Sequence, residues 1–153
     1  MPIRYIALAL AGAAVVSAGC ERSVRLLEPT PIDQTVITEV LTGTVAPPVN
    51  GVFQKTFKTY IVGQGGGAVA VTLTSAVQTR PDGSLQNTVS MGLGAGTVIN
   101  GACVVPANAF VSTPAGPNPQ LVGSLPAGTY CIQVSDVTGQ VGPVAFSVTV
   151  THT

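Results

Sequence analysis

The sequence predicts an all-β fold, an antiparallel β-sandwich of two sheets with seven or eight strands. Three observations carry that prediction. Val and Thr dominate the body, and no stretch repeats apolar residues at the roughly 3.6-residue spacing of a helix. Several segments instead alternate apolar with small polar residues, the signature of a strand with one face buried. Turn residues, 18 Gly and 12 Pro in 153, divide these segments at short intervals. Jelly-roll and immunoglobulin-like sandwiches have this pattern, with a small closed barrel as the alternative. A transmembrane barrel is disfavoured, because the strands are few and uneven and no aromatic girdle is present.

Taken in order, the domain spans 36–153. Val36–Val45 reads as a strand at a sheet edge. Val52–Val62 is long and puts Phe53, Phe57 and Ile61 on one parity but Tyr60 and Val62 on the other, so a bulge is expected. Val69, Val71 and Leu73 alternate with Ala70 and Thr72. Val89, Met91 and Leu93 alternate with Ser90 and Gly92. Thr97–Val105 and Pro119–Leu125 are further strands. Tyr130, Ile132 and Val134 alternate with Cys131 and Gln133, and Val144 to Val150 closes the series. Turns are expected at Pro47-Pro48, Gly63–Gly67, Arg80–Gly83, Pro114–Pro119 and Gly139–Pro143. In Pro81-Asp82-Gly83 the proline presets φ and the glycine accepts a positive φ.

The first residues carry a different signal. Arg4 precedes Tyr5–Val16, an apolar run of 12 residues. A spanning helix needs about 20, so residues 1–19 read as a signal peptide. Ser17-Ala18-Gly19-Cys20 resembles the lipobox of bacterial lipoproteins, with Ser17 where Leu is usual. The resemblance implies that Cys20 carries the lipid and that the membrane is a partner through it. It implies a cell-envelope location, with the outer membrane favoured because Glu21 rather than Asp follows the cysteine. Cleavage by ordinary signal peptidase after Ala18 is the competing reading. Residues 20–35 then form a tether. Pro29 and Pro31 disfavour helix there, and Val24, Leu26 and Leu27 are its apolar cluster.

Cysteine arithmetic connects the two regions. The chain has 3 Cys: Cys20, Cys103 and Cys131. Export places them where disulfides persist. If Cys103 pairs with Cys131, Cys20 is left over, and lipidation gives it a role. Cys131 has the parity opposite Tyr130 and Ile132, so the bridge is expected on an outer face or edge and not in the core.

Chemistry is sparse. Charged residues are 8% and formal net charge is zero, which excludes a nucleic-acid footprint. The sole histidine, His152, reads as a tail residue. Ser90 is a strand position, Asp82 belongs to a turn, and Asp136 ends a strand and caps the turn after it. No nucleophile–base pair, paired carboxylates or metal-ligand spacing is evident, so no enzyme, metal or cofactor is expected. Gly63–Gly67 lacks the Lys and helix of a phosphate loop. The long segment 106–119 is the expected contact loop, with Phe110, Asn108 and Asn118 as its candidate residues for an envelope protein or glycan. Phe110 itself reads more readily as an anchor packed on the sandwich rim. A passive structural module, and less readily a carbohydrate-binding module, are the alternatives.

Three segments carry a family resemblance: GGGAVAVTLTS at 65–75, LPAGTYCIQVSD at 125–136 and PVAFSVTVT at 143–151. They resemble the pre-peptidase C-terminal domain, a β-sandwich appended to secreted bacterial proteases and other exported proteins. The resemblance covers roughly 52–151, and Pro126–Tyr130 is its most specific part. It implies a non-catalytic exported module. The middle strand Thr88–Leu93 lacks the acidic residues common in that family, so no calcium site is carried over.

Overall fold

The computed structural model describes residues 35–153. The signal peptide, Cys20 and nearly all of the tether lie outside the described residues. Ten strands form two antiparallel sheets packed as a sandwich. Eight have five or more residues: β1 (Ile37–Val45), β2 (Lys55–Val62), β3 (Gly67–Thr79), β5 (Ser90–Ile99), β7 (Phe110–Pro114), β8 (Leu121–Leu125), β9 (Gly128–Ser135) and β10 (Val144–His152). β4 (Leu85–Gln86) and β6 (Ala102–Val104) are short.

The first sheet runs β1-β10-β3, and both β4 and β8 pair with β3, at its opposite ends. The second runs β2-β9-β5, and both β6 and β7 pair with β5. β1 is an edge strand, as its sequence predicts. The alternation predicts the buried face. Val69, Val71 and Leu73 of β3, Met91 and Leu93 of β5, Ile132 and Val134 of β9 and Val144–Val150 of β10 supply the inter-sheet core. Tyr60 and Tyr130 are core residues too. Burying such side chains stabilises by roughly 1.5–3 kcal/mol each, against ordering costs of similar total size.

Four expectations need correction. No bulge interrupts β2, which keeps regular register with β9 from Lys55 to Val62. The shift lies instead between β3 and β10, where Ser147 pairs with Ser75 but Val148 pairs with Leu73. Thr74 is the extra residue, and its Oγ1 donates to Ser147 O at 3.0 Å. The strands placed at 89–93 and 97–105 are one strand, β5, followed by a hairpin into β6. Its turn is Asn100-Gly101, with φ of 51° and 76°. Both residues are left-handed, as a type I′ turn requires. The segment 106–119 is not one loop: it holds a single 3₁₀ turn, Ala107–Ala109, and then β7. His152 is no tail residue either. It pairs with Ile37 and Val69 inside the first sheet and is 1% exposed.

Other turns follow the sequence. Gly83 N donates to Arg80 O at 2.9 Å, and Ser84 N donates to Asp82 Oδ1 at 2.9 Å. Gly63–Gly67 connects β2 to β3.

Candidate functional site

The described residues bring no three His, Cys, Asp or Glu side chains together as a metal group. What they form is a cleft of about 510 Å³ between the two sheets. It opens where β8 of one sheet faces β6 and the 3₁₀ turn of the other. Each edge here is only partly covered. β8 pairs with β3 along five residues, and β6 pairs with β5 along three.

Small residues make the space. On β8, Leu121, Gly123 and Leu125 share the inward parity, and both leucines pack on the core. Gly123 contributes no side chain between them, and a Cβ there would meet nothing within 4 Å. Ala95 and Thr97 leave room on the facing sheet. Val69 and Val71 floor one side, while Tyr60 and Tyr130 stand along the other. None of the lining residues is charged. Pockets of this size, mostly apolar with a few polar groups, are typical of small-ligand sites.

The outer wall depends on β5. Gly92, Gly94 and Gly96 alternate along its outward face, leaving a bare groove. A Cβ on Gly92 would strike Phe110, Ser135 and Val137, and one on Gly94 would strike Val105. One on Gly96 would strike the backbone at Val104. The chain after β6 therefore folds onto this glycine face. Cys103 and Cys131 fasten it there, with S–S 2.06 Å and Cα atoms 5.8 Å apart. The bridge lies on the outer side of β9, as parity predicts, yet it is covered: Cys131 is 0% exposed. The glycine groove, which brings residues 104–105 down over the sheet, accounts for the cover.

The three contact residues expected in 106–119 separate. Asn108 sits in the 3₁₀ turn and lines the cleft. Phe110 starts β7 and lays its ring over Gly92 and Gly94, the anchor reading of that residue. Asn118 is exposed in the bend before β8 and does not line the cleft.

A polar cluster lies beneath the inner wall. His152 Nε2 and Glu39 Oε1 are 3.0 Å apart. The Tyr60 ring lies 5.8 Å from His152 and 5.9 Å from Tyr130, centroid to centroid. Among the described residues, Tyr60 Oη, His152 Nδ1 and Thr153 Oγ1 are buried without a hydrogen-bond partner. Burial chiefly, with the charges of Tyr130 and Glu39 adding, pushes the Tyr60 phenol up to about 12. It therefore stays protonated at any physiological pH.

Sequence reasoning found the core tyrosines and the disulfide pair but not the cleft. The alternate glycines at 92–96 and the inward-parity Gly123 were its only signals. No protein-family model matches this chain, and no curated protein matches it.

Proposed function

We propose that the protein is an exported, lipid-anchored envelope component whose non-catalytic β-sandwich binds an apolar ligand in the inter-sheet cleft. The observation that carries the binding role is the uncharged cleft of about 510 Å³ bordered by core residues at the sandwich edge. Mostly apolar clefts of this size with a few polar groups are the usual form of a small-ligand site. The anchoring half of the reading rests on residues 1–20. Pairing of Cys103 with Cys131 supports it, since the remaining cysteine is Cys20. More than one acyl chain on such a cysteine would make attachment effectively permanent. The likeness to the pre-peptidase C-terminal domain agrees with an exported module that performs no chemistry itself.

Two measurements test this. The neutral fluorophore N-phenylnaphthylamine should bind the protein saturably, with enhanced emission, and Gly123→Leu should abolish that binding while leaving the fold intact. A passive module would bind no dye, or would bind it equally well in both proteins. Mass spectrometry of the exported chain should show a lipid-modified amino-terminal Cys20. An unmodified chain starting at Gly19 would refute the anchor.

A further inference from the structure

β1 is an edge strand of a different kind from the rest. It runs 9 residues and pairs with β10 at every one of them without a break. Among the described residues no strand pairs with its other side. A long regular edge invites a further strand, and proteins blunt such edges by shortness, Pro, Lys or an inward-pointing charge. The other edges are blunted. β4 and β6 have 2 and 3 residues, β8 has 5, β7 ends at Pro114, and β2 carries Lys55 and Lys58. On the outward face of β1 stand Thr38, Val40, Thr42 and Thr44, all exposed and none charged. Their backbone is free as well. Pro143 O accepts from Thr79 N on β3, so alternation along β10 turns Val144 and every second residue up to His152 toward β1. The partners of those residues on β1 run from Ile37 to Val45 by twos, which leaves the N–H and C=O of Thr38, Val40, Thr42 and Thr44 facing the open side.

One charge stands in the way of an added strand. Glu39 lies on the inward parity of β1, with Oε1 engaged by His152 and the side chain 36% exposed. A strand laid beside β1 would cover that carboxylate, which is unfavourable unless the strand brings a counter-charge. The molecule carries one at the right place. Lys58 of β2 makes no ion pair among the described residues. Its Cε lies 3.5 Å from where a Cβ on Gly43 would sit, so the lysine stem reaches across to β1 two turns of the pleat from Glu39.

We infer that β1 is the contact of a two-fold dimer: it pairs antiparallel with β1 of a second copy, and Glu39 of each copy meets Lys58 of the other. The two-fold register that overlaps all 9 residues has Leu41 at its axis. It sets Thr38 opposite Thr44 of the second copy, Val40 opposite Thr42, and Glu39 opposite Gly43. Opposed Cβ positions across such a pair lie about 5 Å apart. The Glu39 carboxylate therefore comes beside the Lys58 of the second copy, and symmetry makes the contact twice. A strand from an unrelated protein would cover Glu39 without that partner. Self-pairing also closes, whereas pairing β1 with a different edge of the same molecule would propagate. β1 and β8 lie at opposite edges of their sheet, so the dimer leaves the cleft open. The contact is one strand wide, at the small end for specific interfaces, so a weak dimer is expected.

Sedimentation equilibrium of the full-length protein in density-matched neutral detergent tests this, with circular dichroism to confirm that each variant folds. The natural chain should show a monomer–dimer equilibrium with a dissociation constant of roughly 1–100 μM. Thr42→Pro removes an N–H on the open side of β1 while sparing the bonds to β10, and should weaken the dimer at least about tenfold. Lys58→Glu sets like charges against each other across the two-fold and should also weaken it about tenfold. Lys55→Glu makes the same charge change on the same strand, away from Glu39, and should leave the dimer unchanged. A chain still monomeric at ~1 mM, the result expected if β1 awaits a strand of another protein, would overturn the inference. So would a dimer unaffected by Thr42→Pro, or one weakened equally by Lys58→Glu and Lys55→Glu.

Discussion

At the end of the sandwich where β9 runs out, the buried side chains of Asp136 and Gln140 are fully engaged. At the end where β9 begins, three buried side-chain atoms have no partner among the described residues. Asp136 serves the first end: Oδ1 accepts from Thr138 N and Gly139 N, and Oδ2 from Gln140 N, all at 2.9 Å. Gln140 in turn donates to Thr138 Oγ1 and Ser90 O and accepts from Gln78 Nε2 at 2.8 Å. The turn after β9 is thereby tied to β3 and β5. The other end holds Tyr60, His152 and Thr153 with unpartnered atoms, beside the cleft. Both ends bury polar groups in one fold, so composition is not the difference. The satisfied end ties its turn to both sheets through a closed network, whereas the other end buries hydrogen-bonding atoms that have no partner among the described residues.

The comparison can be broken in several places, and the largest effect belongs to the strap over the cleft wall. Replacing Cys103 and Cys131 together by Ser should cost roughly 3–4 kcal/mol from the closed loop alone. Urea denaturation measures that loss. Dye binding should weaken as well, because the wall from Val104 to Ala109 loses its fastening. At the satisfied end, Asp136→Ala strips the acceptor from three backbone N–H groups and should cost about 3 kcal/mol. Dye affinity there should not change. A D136A protein as stable as its parent would show that the network is ornamental.

Smaller effects test the unsatisfied end. Tyr60→Phe removes the unpaired hydroxyl, so stability without ligand should hold or rise by up to about 1 kcal/mol. A clear loss would mean that the hydroxyl has a partner in solution. The same phenol gives a pH dependence. The Tyr60 phenol is raised to about 12 in the folded state, so the folded chain retains a proton that the unfolded chain releases near pH 10. Its contribution is therefore complete below pH 10 and is lost as pH rises from 10 towards 12. The urea midpoint should fall over that window, and in Tyr60→Phe it should fall less.

How far the residues announced this depends on where the information sat. Alternation in 69–73, 130–134 and 144–150 fixes which side chains face the core, because period two is a local property. β7 has no local signature, because Phe110–Pro114 is short and lies in a segment rich in Pro. It becomes a strand only by pairing with β5. The Asn100-Gly101 hairpin was readable, since that dipeptide favours a type I′ turn. The place of His152 next to the carboxy-terminal residue suggests a tail, whereas its burial comes from pairing across to β3. The cleft was least legible. Gly123 looks like any strand glycine until its pairing with Val69 turns its missing side chain toward the space between the sheets.

Titration of the isotope-labelled protein with N-phenylnaphthylamine, followed by amide NMR, puts the two ends side by side. The account predicts saturable shifts at Gly123, Leu125, Thr97 and Asn108, with Asp136–Gln140 unmoved. Shifts centred on Asp136–Gln140, or none at all, would contradict it.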